Sequence, residues 1–580
     1  MARRKNYEAV TRHQEIGAVR KSWSGKTRVA LVYPNTYHVG MSNLGFQTVH
    51  RLLNDQKQVV CERAFLPSSG KDRQNRIVTT ESKRPLLDFD IIAFSISFEN
   101  DYPNLLKVIQ KAGLPLWSRE RGSPLPLVMA GGVTCFLNPE PIAPFIDCFL
   151  LGEVEPILSR FITTVGSPFK KNAPDRMENL RAAAREIPGM YVPAFYHTEY
   201  RTDGTLKSFS PIADVPATVR RVYPRDISTI PTGSSIVTPD TTFDDTFLME
   251  VSRGCPHGCR FCTAGYIYRP PRFRPLTLLN QQVDEGATVC NAIGLMGAAV
   301  SDHPELGPLC EKIKQKNVKV SFSSLRADAI TPDLIATLVE NDVKTATIAP
   351  EAGSDRMRAV INKGISREQI LTAAETLVGN GVPNIKLYFM VGLPTETDED
   401  VAAVVRLCKE IKHRFLQSSR ARKHIGTITV SLNCFVPKPM TPFQWSAFDE
   451  EKTLKQKIKK IKDGLRKTAN VTVHADVPRW AYIQALLSRG DRRVADILAL
   501  VHENNGNWPQ TLKASSVNPH FYVYRDREAS ECFPWDFIDH GLKKTFLWNE
   551  YQRALTAKPS PPCPVDPESC RTCGVCNPGE

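Results

Sequence analysis

Three cysteines, Cys255, Cys259 and Cys262, stand at C-x3-C-x2-C spacing within SRGCPHGCRFCTAGYIYRPPRFRP, residues 252–275. Thiolates are soft ligands, and closely spaced sets of them hold zinc or iron–sulfur clusters. A structural zinc site takes four ligands and a four-iron cluster has four corners. Only three cysteines are present here; the next is Cys290. Either a histidine such as His257 completes a zinc knuckle, or one iron of a [4Fe–4S] cluster is left open to an outside ligand. Gly254 and Gly258 let the backbone wrap closely, and Phe261 supplies an apolar wall between two ligands.

A second set, Cys563, Cys570, Cys573 and Cys576, lies at C-x6-C-x2-C-x2-C spacing in CPVDPESCRTCGVC. The tight double x2 spacing is nearer to ferredoxin-type loops than to paired zinc knuckles, so a second [4Fe–4S] cluster is expected there, with zinc as the alternative. The other eight of the 15 cysteines are scattered and read as buried, reduced thiols. That segregation argues for metal sites over disulfides.

These loops need a frame. From about Thr27 to Ser167, short apolar strands (RVALVYPN, DIIAFSIS, LPLVMAGG, DCFLLGE) alternate with helical stretches such as NLLKVIQKAG. The alternation predicts a doubly wound, Rossmann-like parallel sheet over 27–167, with ligands beyond the strand C-termini. A basic leader, 1–26, precedes it, and 168–245 reads as a connecting region. Over 246–476 six more strand candidates recur: FLMEVSRG, IGLMGAAV, VKVSFSSL, TATIAP, IKLYFMVG and ITVSLNCF. They predict a partial (β/α)6 TIM-like barrel carrying its site at the C-terminal strand ends, and the three-cysteine loop follows the first of them. Residues 477–560 read as a mostly helical region and 561–580 as a Cys-rich metal-binding tail. The expected fold class is α/β throughout the first two domains.

Composition bounds the partners. A chain of 580 residues calls for roughly two to four domains. No run of about 18 apolar residues occurs, so no membrane helix is expected. The N-terminus has charge but no apolar segment, unlike a secretory signal, and a cytoplasmic location is expected. Net charge is +14, from 75 basic and 61 acidic residues. In LKQKIKKIKDGLRK, Leu454, Ile458, Ile461 and Leu465 recur at helical spacing beneath a basic face. Such a face is either simply solvated or meets phosphates.

The three-cysteine loop resembles the cluster motif of the radical S-adenosylmethionine (SAM) superfamily, C-x3-C-x2-C with an aromatic before the last cysteine. The resemblance continues in IAPEAGSDRMRAVINKG, FMVGLPTET and FVPKPMTPF and covers roughly 246–445. It implies that Cys255, Cys259 and Cys262 hold a [4Fe–4S] cluster whose open iron is chelated by SAM. It also implies reductive cleavage to a 5′-deoxyadenosyl radical, with a flavodoxin or ferredoxin as electron donor. Phe261, Ser324, Arg326, Glu351, Gly353 and Ser354 are the implied SAM contacts. Where many members carry a Gly-Gly-Glu-like stretch, this chain has LMGAAVSDHPEL; Asp302 or backbone carbonyls are the substitutes. Arg269, Arg272 and Arg274 are candidate substrate contacts, with an ordinary surface role as the alternative.

The first domain resembles the cobalamin-binding domain that precedes the barrel in one class of the same superfamily, through SISFEN, Ala130–Gly132 and FLLGEVE. That implies cobalamin as a candidate cofactor, with Ser97, Gly131 and Gly132 as candidate contacts. The usual D-x-H-x-x-G signature is missing; the loop reads NTYHVGM, with His38 at a different spacing. The function expected is a radical SAM enzyme carrying out methyl, sulfur or rearrangement chemistry, with RNA as a candidate substrate. The alternatives are a cobalamin-dependent methyltransferase acting on a small metabolite, and a non-catalytic iron–sulfur, RNA-binding protein.

Overall fold

The computed structural model describes residues 14–67, 76–165, 175–323, 325–420, 425–564 and 570–576. Its first sheet contains β1 (Thr27–Thr36), β2 (Val59–Leu66), β3 (Ile91–Ser95), β4 (Leu127–Gly131), β5 (Cys148–Leu150) and β6 (Met190–Tyr191). The spatial order is β2-β1-β3-β4-β5-β6. The first five strands run parallel and β6 pairs antiparallel with β5. Crossing from β1 to β3 reverses the winding, and that switch point is where such sheets bind ligands. The sheet reaches past 167, because β6 comes from the stretch read as a connector. The rest of that stretch is also structured from residue 175 on. Tyr196–Tyr200 and Leu206–Pro211 form a hairpin, and Val219–Arg220 pairs with Ile538–Asp539 of the C-terminal region.

The barrel is an open arc of seven parallel strands: β7 (Thr246–Glu250), β8 (Ala292–Met296), β9 (Lys319–Phe322), β10 (Thr345–Glu351), β11 (Asn384–Val391), β12 (Ile428–Cys434) and β13 (Val471–Ala475). They pair in chain order as β7-β8-β9 and β10-β11-β12-β13, and a Leu325–Ile348 bridge joins the two groups. The seventh strand, VTVHA, adds to the six that the sequence indicates. Alternation in β11 and β12, where every second residue is buried, turns Ile385, Leu387, Phe389 and Val391 to one side. β7, β8 and β9 pack round their own apolar cluster with Phe247, Met249, Ile293 and Leu309, while the other strands share one core with the first domain and the C-terminal helices.

Helices Pro478–Arg489, Val494–Glu503 and Lys544–Leu555 form the C-terminal region, which packs on both domains. Among the described residues no helix is long and apolar enough to cross a membrane.

Candidate metal centre and adjoining chambers

The loop carrying Cys255, Cys259 and Cys262 leaves β7 and ends in a short helix, Ala264–Ile267. Two glycines shape it. Gly254 has φ +87, and a Cβ there would stand 2.5 Å from the Tyr268 carbonyl. The Gly258 carbonyl accepts hydrogen bonds from Asn362 Nδ2 (3.1 Å) and Tyr266 OH (3.2 Å). The Cys262 amide closes on the Cys259 carbonyl at 3.0 Å. Burial pushes the Cys255 thiol up to about 12, and burial likewise raises Cys259 and Cys262. Lys363 and Arg326 pull Cys259 the other way. A metal that deprotonates these thiols would therefore meet a cationic flank on the Cys259 side.

The donor set fits a cluster with one open corner. Three thiols share one loop, and the side facing Cys259 offers Arg326, Lys363 and Glu351. Among the described residues no three His, Cys, Asp or Glu side chains converge on a single-ion site. A polynuclear cluster does not ask for that, since each thiolate takes its own iron. His257 is turned to Asp302 (2.6 Å), which binds the cluster loop to the turn after β8.

Other SAM candidates fall into three groups. Arg326 stays near Cys259, held by Asp328 (2.8 Å) and the Lys363 carbonyl. Glu351 is half-buried at φ +66 where the β10–β11 register shifts, 3.4 Å from Lys363 Nζ. Phe261 packs at the edge of the main core. Gly353 and Ser354 also have structural duties. A Cβ on Gly353 would lie 2.2 Å from the Val404 amide nitrogen of helix Asp398–Arg420. Ser354 caps helix Asp355–Val360 by accepting from Met357 N–H, and donates to Asp400 at 2.6 Å. Ser324 lies outside the described residues.

The three arginines after the loop are not on the surface. Arg272 is bidentate to Glu153 (2.7 and 3.0 Å), and Arg274 reaches Glu250 (2.8 Å) and the Ile230 carbonyl (2.9 Å). With Arg253, which bonds Glu153, Glu155 and Glu250, they form a buried ionic seam between the first domain and the barrel. Alternation of basic residues in RPPRFRP gave no hint of it, because the acidic partners are distant in sequence. Arg269 is buried too, but faces the tail cysteines.

Beside this seam lies a cavity of about 560 Å³. Its walls are the C-terminal ends of β3, β4 and β5, including Ser97, Gly131 and Gly132, and the barrel residues Ser252, Gly254 and Met296. Gly132 has φ +107 and would press a Cβ to 2.4 Å from the Ile96 carbonyl. Ser252 is buried and, among the described residues, its hydroxyl has no hydrogen-bond partner. His38 does not reach the cavity; it pairs with Asp240 on the surface.

A second cavity, about 660 Å³, is lined by Cys563, Cys570, Cys573 and Cys576 together with Pro256 and Gly258 of the three-cysteine loop. The tail is tied down by Asn362 Oδ1, which accepts from the Ser560 amide at 2.8 Å, and by Arg260, which donates to Lys558 O at 2.7 Å. Lys363, Asn362, Arg260 and Glu550 are the site residues that sequence reading did not single out. The adjoining RAVINKG and the arginine inside the motif were the available signals.

An α/β barrel with an open three-thiolate loop after its first strand defines a class of cluster-dependent enzyme. Comparison with known proteins makes it specific. The family described as "Radical SAM superfamily" matches residues 249–408, and "Radical SAM proteins, N-terminal" matches 45–193. The uncharacterized protein MJ0966 of Methanocaldococcus jannaschii is 32% identical over 81% of this chain and 90% of its own length. This chain belongs to the radical SAM superfamily and is an enzyme of it, with a [4Fe–4S] cluster and SAM as cofactors. The tRNA-2-methylthio-N(6)-dimethylallyladenosine synthase of Sorangium cellulosum is 24% identical over 33% of this chain, and the match spans under half of that synthase (44%). A solved cobalamin-dependent SAM radical enzyme, OxsB, is 13% identical and covers 91% of this chain and 79% of its own, with a TM-score of 0.44, too loose a likeness to carry functional detail.

Proposed function

We propose that Cys255, Cys259 and Cys262 hold the cluster, that SAM binds beside Arg326, Lys363 and Glu351, and that the substrate enters the chamber between the first domain and the barrel. The chemistry such a cluster supplies when bound is one-electron reduction of SAM to methionine and a 5′-deoxyadenosyl radical. The observation that carries the reading is the open thiol set facing a cationic and carboxylate flank. Arg326 and Lys363 offer donors for the SAM carboxylate, and Glu351 offers an acceptor for its amine. The ionic seam around Glu153 holds the chamber walls in register.

RNA is the substrate class we favour. The support is the name of the tRNA-modifying relative and the net charge of +14. A low-potential flavodoxin or ferredoxin is the expected electron donor. Anaerobically reconstituted protein with dithionite is expected to release 5′-deoxyadenosine from SAM, and Cys259→Ala to release none. Well-loaded wild type that leaves SAM intact would sink the reading. Mass spectrometry of RNA from a deletion strain tests the substrate, and an unchanged nucleoside profile counts against RNA.

A second reading, cobalamin in the chamber, is supported by its place at the β1/β3 switch point. The residues present fit cobalamin only without a histidine ligand, since His38 is engaged with Asp240.

A further inference from the structure

The basic face of LKQKIKKIKDGLRK takes no part in the centre described above. In helix Glu451–Leu465 the apolar residues Leu454, Ile458, Ile461 and Leu465 are buried. Lys452, Lys455, Lys459, Lys462 and Arg466 recur at steps of three and four, so they stand in one stripe beside that seam. The stripe is about 21 Å long, enough for several phosphates of one strand. All five residues are exposed. Lys455 pairs with Glu451 (3.2 Å) and Arg466 with Asp463 (3.6 Å). Among the described residues Lys452, Lys459 and Lys462 pair with no acid. Like charges in a row on one helix repel one another, and a polyanion relieves that repulsion.

The first turn of the same helix opens on a cavity of about 460 Å³, where Glu451 is joined by Tyr482, Lys513, Ser516, His520 and Tyr524. His520 and Tyr524 stack at 5.1 Å and 21°, and Tyr482 lies 5.4 Å from Tyr524. The Tyr482 hydroxyl, 3.1 Å from His520 Nδ1, holds the imidazole in place. His520 is exposed, and Tyr524 covers one face of its ring, which leaves the other face for a flat ligand. Lys513 is exposed and, among the described residues, pairs with no acid. The one carboxylate in the lining, Glu451, is met by Lys455.

Helix Glu451–Leu465 starts beyond the C-terminal end of β12, and helix Pro478–Arg489, which carries Tyr482, beyond that of β13. The cavity therefore stands on the side of the barrel where strand ends carry the site. A row of cations leading to an aromatic face is what single-stranded nucleic acid uses: lysines meet its phosphates and rings stack on its unpaired bases. An acidic protein would engage the lysines and leave the rings without a role.

We infer that the stripe from Lys452 to Arg466 carries the backbone of single-stranded RNA, and that the cavity at its head takes one unpaired base on the His520 ring with Lys513 beside its phosphate. The inference rests on the RNA reading of the substrate and adds a docking site outside the chamber.

Full-length reconstituted protein and a fluorescein-labelled, unstructured RNA of about twelve nucleotides test it by anisotropy. Lys452→Ala/Lys459→Ala/Lys462→Ala is expected to weaken binding and to reduce the log–log salt slope by about two, since each phosphate contact on a single strand contributes about 0.7. His520→Ala is expected to weaken binding about tenfold at unchanged salt slope, and His520→Phe, which keeps a stacking face, to stay within about threefold of wild type. With the same RNA annealed into a duplex, His520→Ala is expected to match wild type, because a paired base cannot enter the cavity. Dithionite-driven SAM cleavage without RNA is expected at the wild-type rate in every variant, which excludes misfolding. Wild type and variants that bind the single strand equally tightly overturn the inference and leave the RNA reading standing. A triple variant that keeps its RNA affinity but slows flavodoxin-driven cleavage overturns it too, and assigns the stripe to the reductant. Loss through the lysines with His520→Ala unaffected overturns the base subsite. Wild type that binds no RNA sinks the RNA reading and the inference with it.

Discussion

Arg260 Nε donates to Glu550 Oε2 at 3.0 Å across 290 positions of chain. The same guanidinium bonds the Ala359 and Val360 carbonyls at 3.0 Å and is fully buried. The residue after Cys259 is thus anchored by the C-terminal helix. Removing one partner of a buried ion pair strands the other. Glu550→Ala is expected to destabilise by about 3–5 kcal/mol, and Glu550→Gln, which keeps an acceptor, by less. Chemical denaturation and the iron retained after gel filtration check this. A Glu550→Ala effect below about 1 kcal/mol would show that the anchor is dispensable.

Gly353 separates packing from SAM binding. A Cβ there meets backbone of helix Asp398–Arg420, with Val404 N at 2.2 Å and Ala403 C at 2.5 Å. Backbone cannot step aside as a flexible side chain can. Gly353→Ala is expected to cost about 1–3 kcal/mol or more, with SAM affinity of the folded fraction unchanged. Thermal melts beside equilibrium dialysis of SAM decide it. Lost affinity at unchanged stability would restore Gly353 to the SAM contacts.

What the sequence made legible follows from how local each signal is. The three-cysteine loop, the glycine-ended strands and the alternation in β11 and β12 depend on neighbours a few residues away, and they could be read directly. β2 could not. VVCERAFL places Glu62 and Arg63 in a buried strand, and only distant partners make that tolerable: Arg63 is fully buried between Glu15 and Glu81, and Glu62 accepts from Trp23 and Thr79. Arg272 and Arg274 read as substrate contacts or surface residues for the same reason; Glu153 is 119 positions from Arg272. β13 was short and exposed on alternate residues, and its pairing with β12 is a tertiary fact.

Asp101 gives a pH signature. It is buried beyond the end of β3, where burial pushes its carboxyl up to about 6 despite donors from Asn35 (2.8 Å) and Asn104 (3.3 Å). Between about pH 4 and 6 the folded chain holds this proton more tightly than the unfolded chain does. Its contribution to stability therefore falls as pH rises through that window. His50 and His540, buried and lowered to about 3, slope the opposite way below their ordinary range, so the wild-type profile alone hides the effect. Asp101→Asn removes one slope. It is expected to gain about 1–3 kcal/mol on wild type at pH 7.5, shrinking toward zero near pH 4. Urea midpoints at both pH values test this, and a gain independent of pH would refute it.

Gly131 and Gly132 sit side by side at the end of β4 but answer differently. A Cβ on Gly131 meets only the Leu150 carbonyl, at 3.6 Å, and otherwise open space. On Gly132 it would meet Ile96 backbone at 2.4 Å with φ +107. Gly132→Val is therefore expected to unfold the first domain, whereas Gly131→Val is expected to leave the melting temperature close to wild type and intrude on the chamber. If cobalamin binds there, absorbance titration with hydroxocobalamin should show Gly131→Val weaker by about tenfold or more. Wild-type affinity in a folded Gly131→Val chain would place cobalamin elsewhere, and no binding by wild type would leave the chamber to the substrate alone.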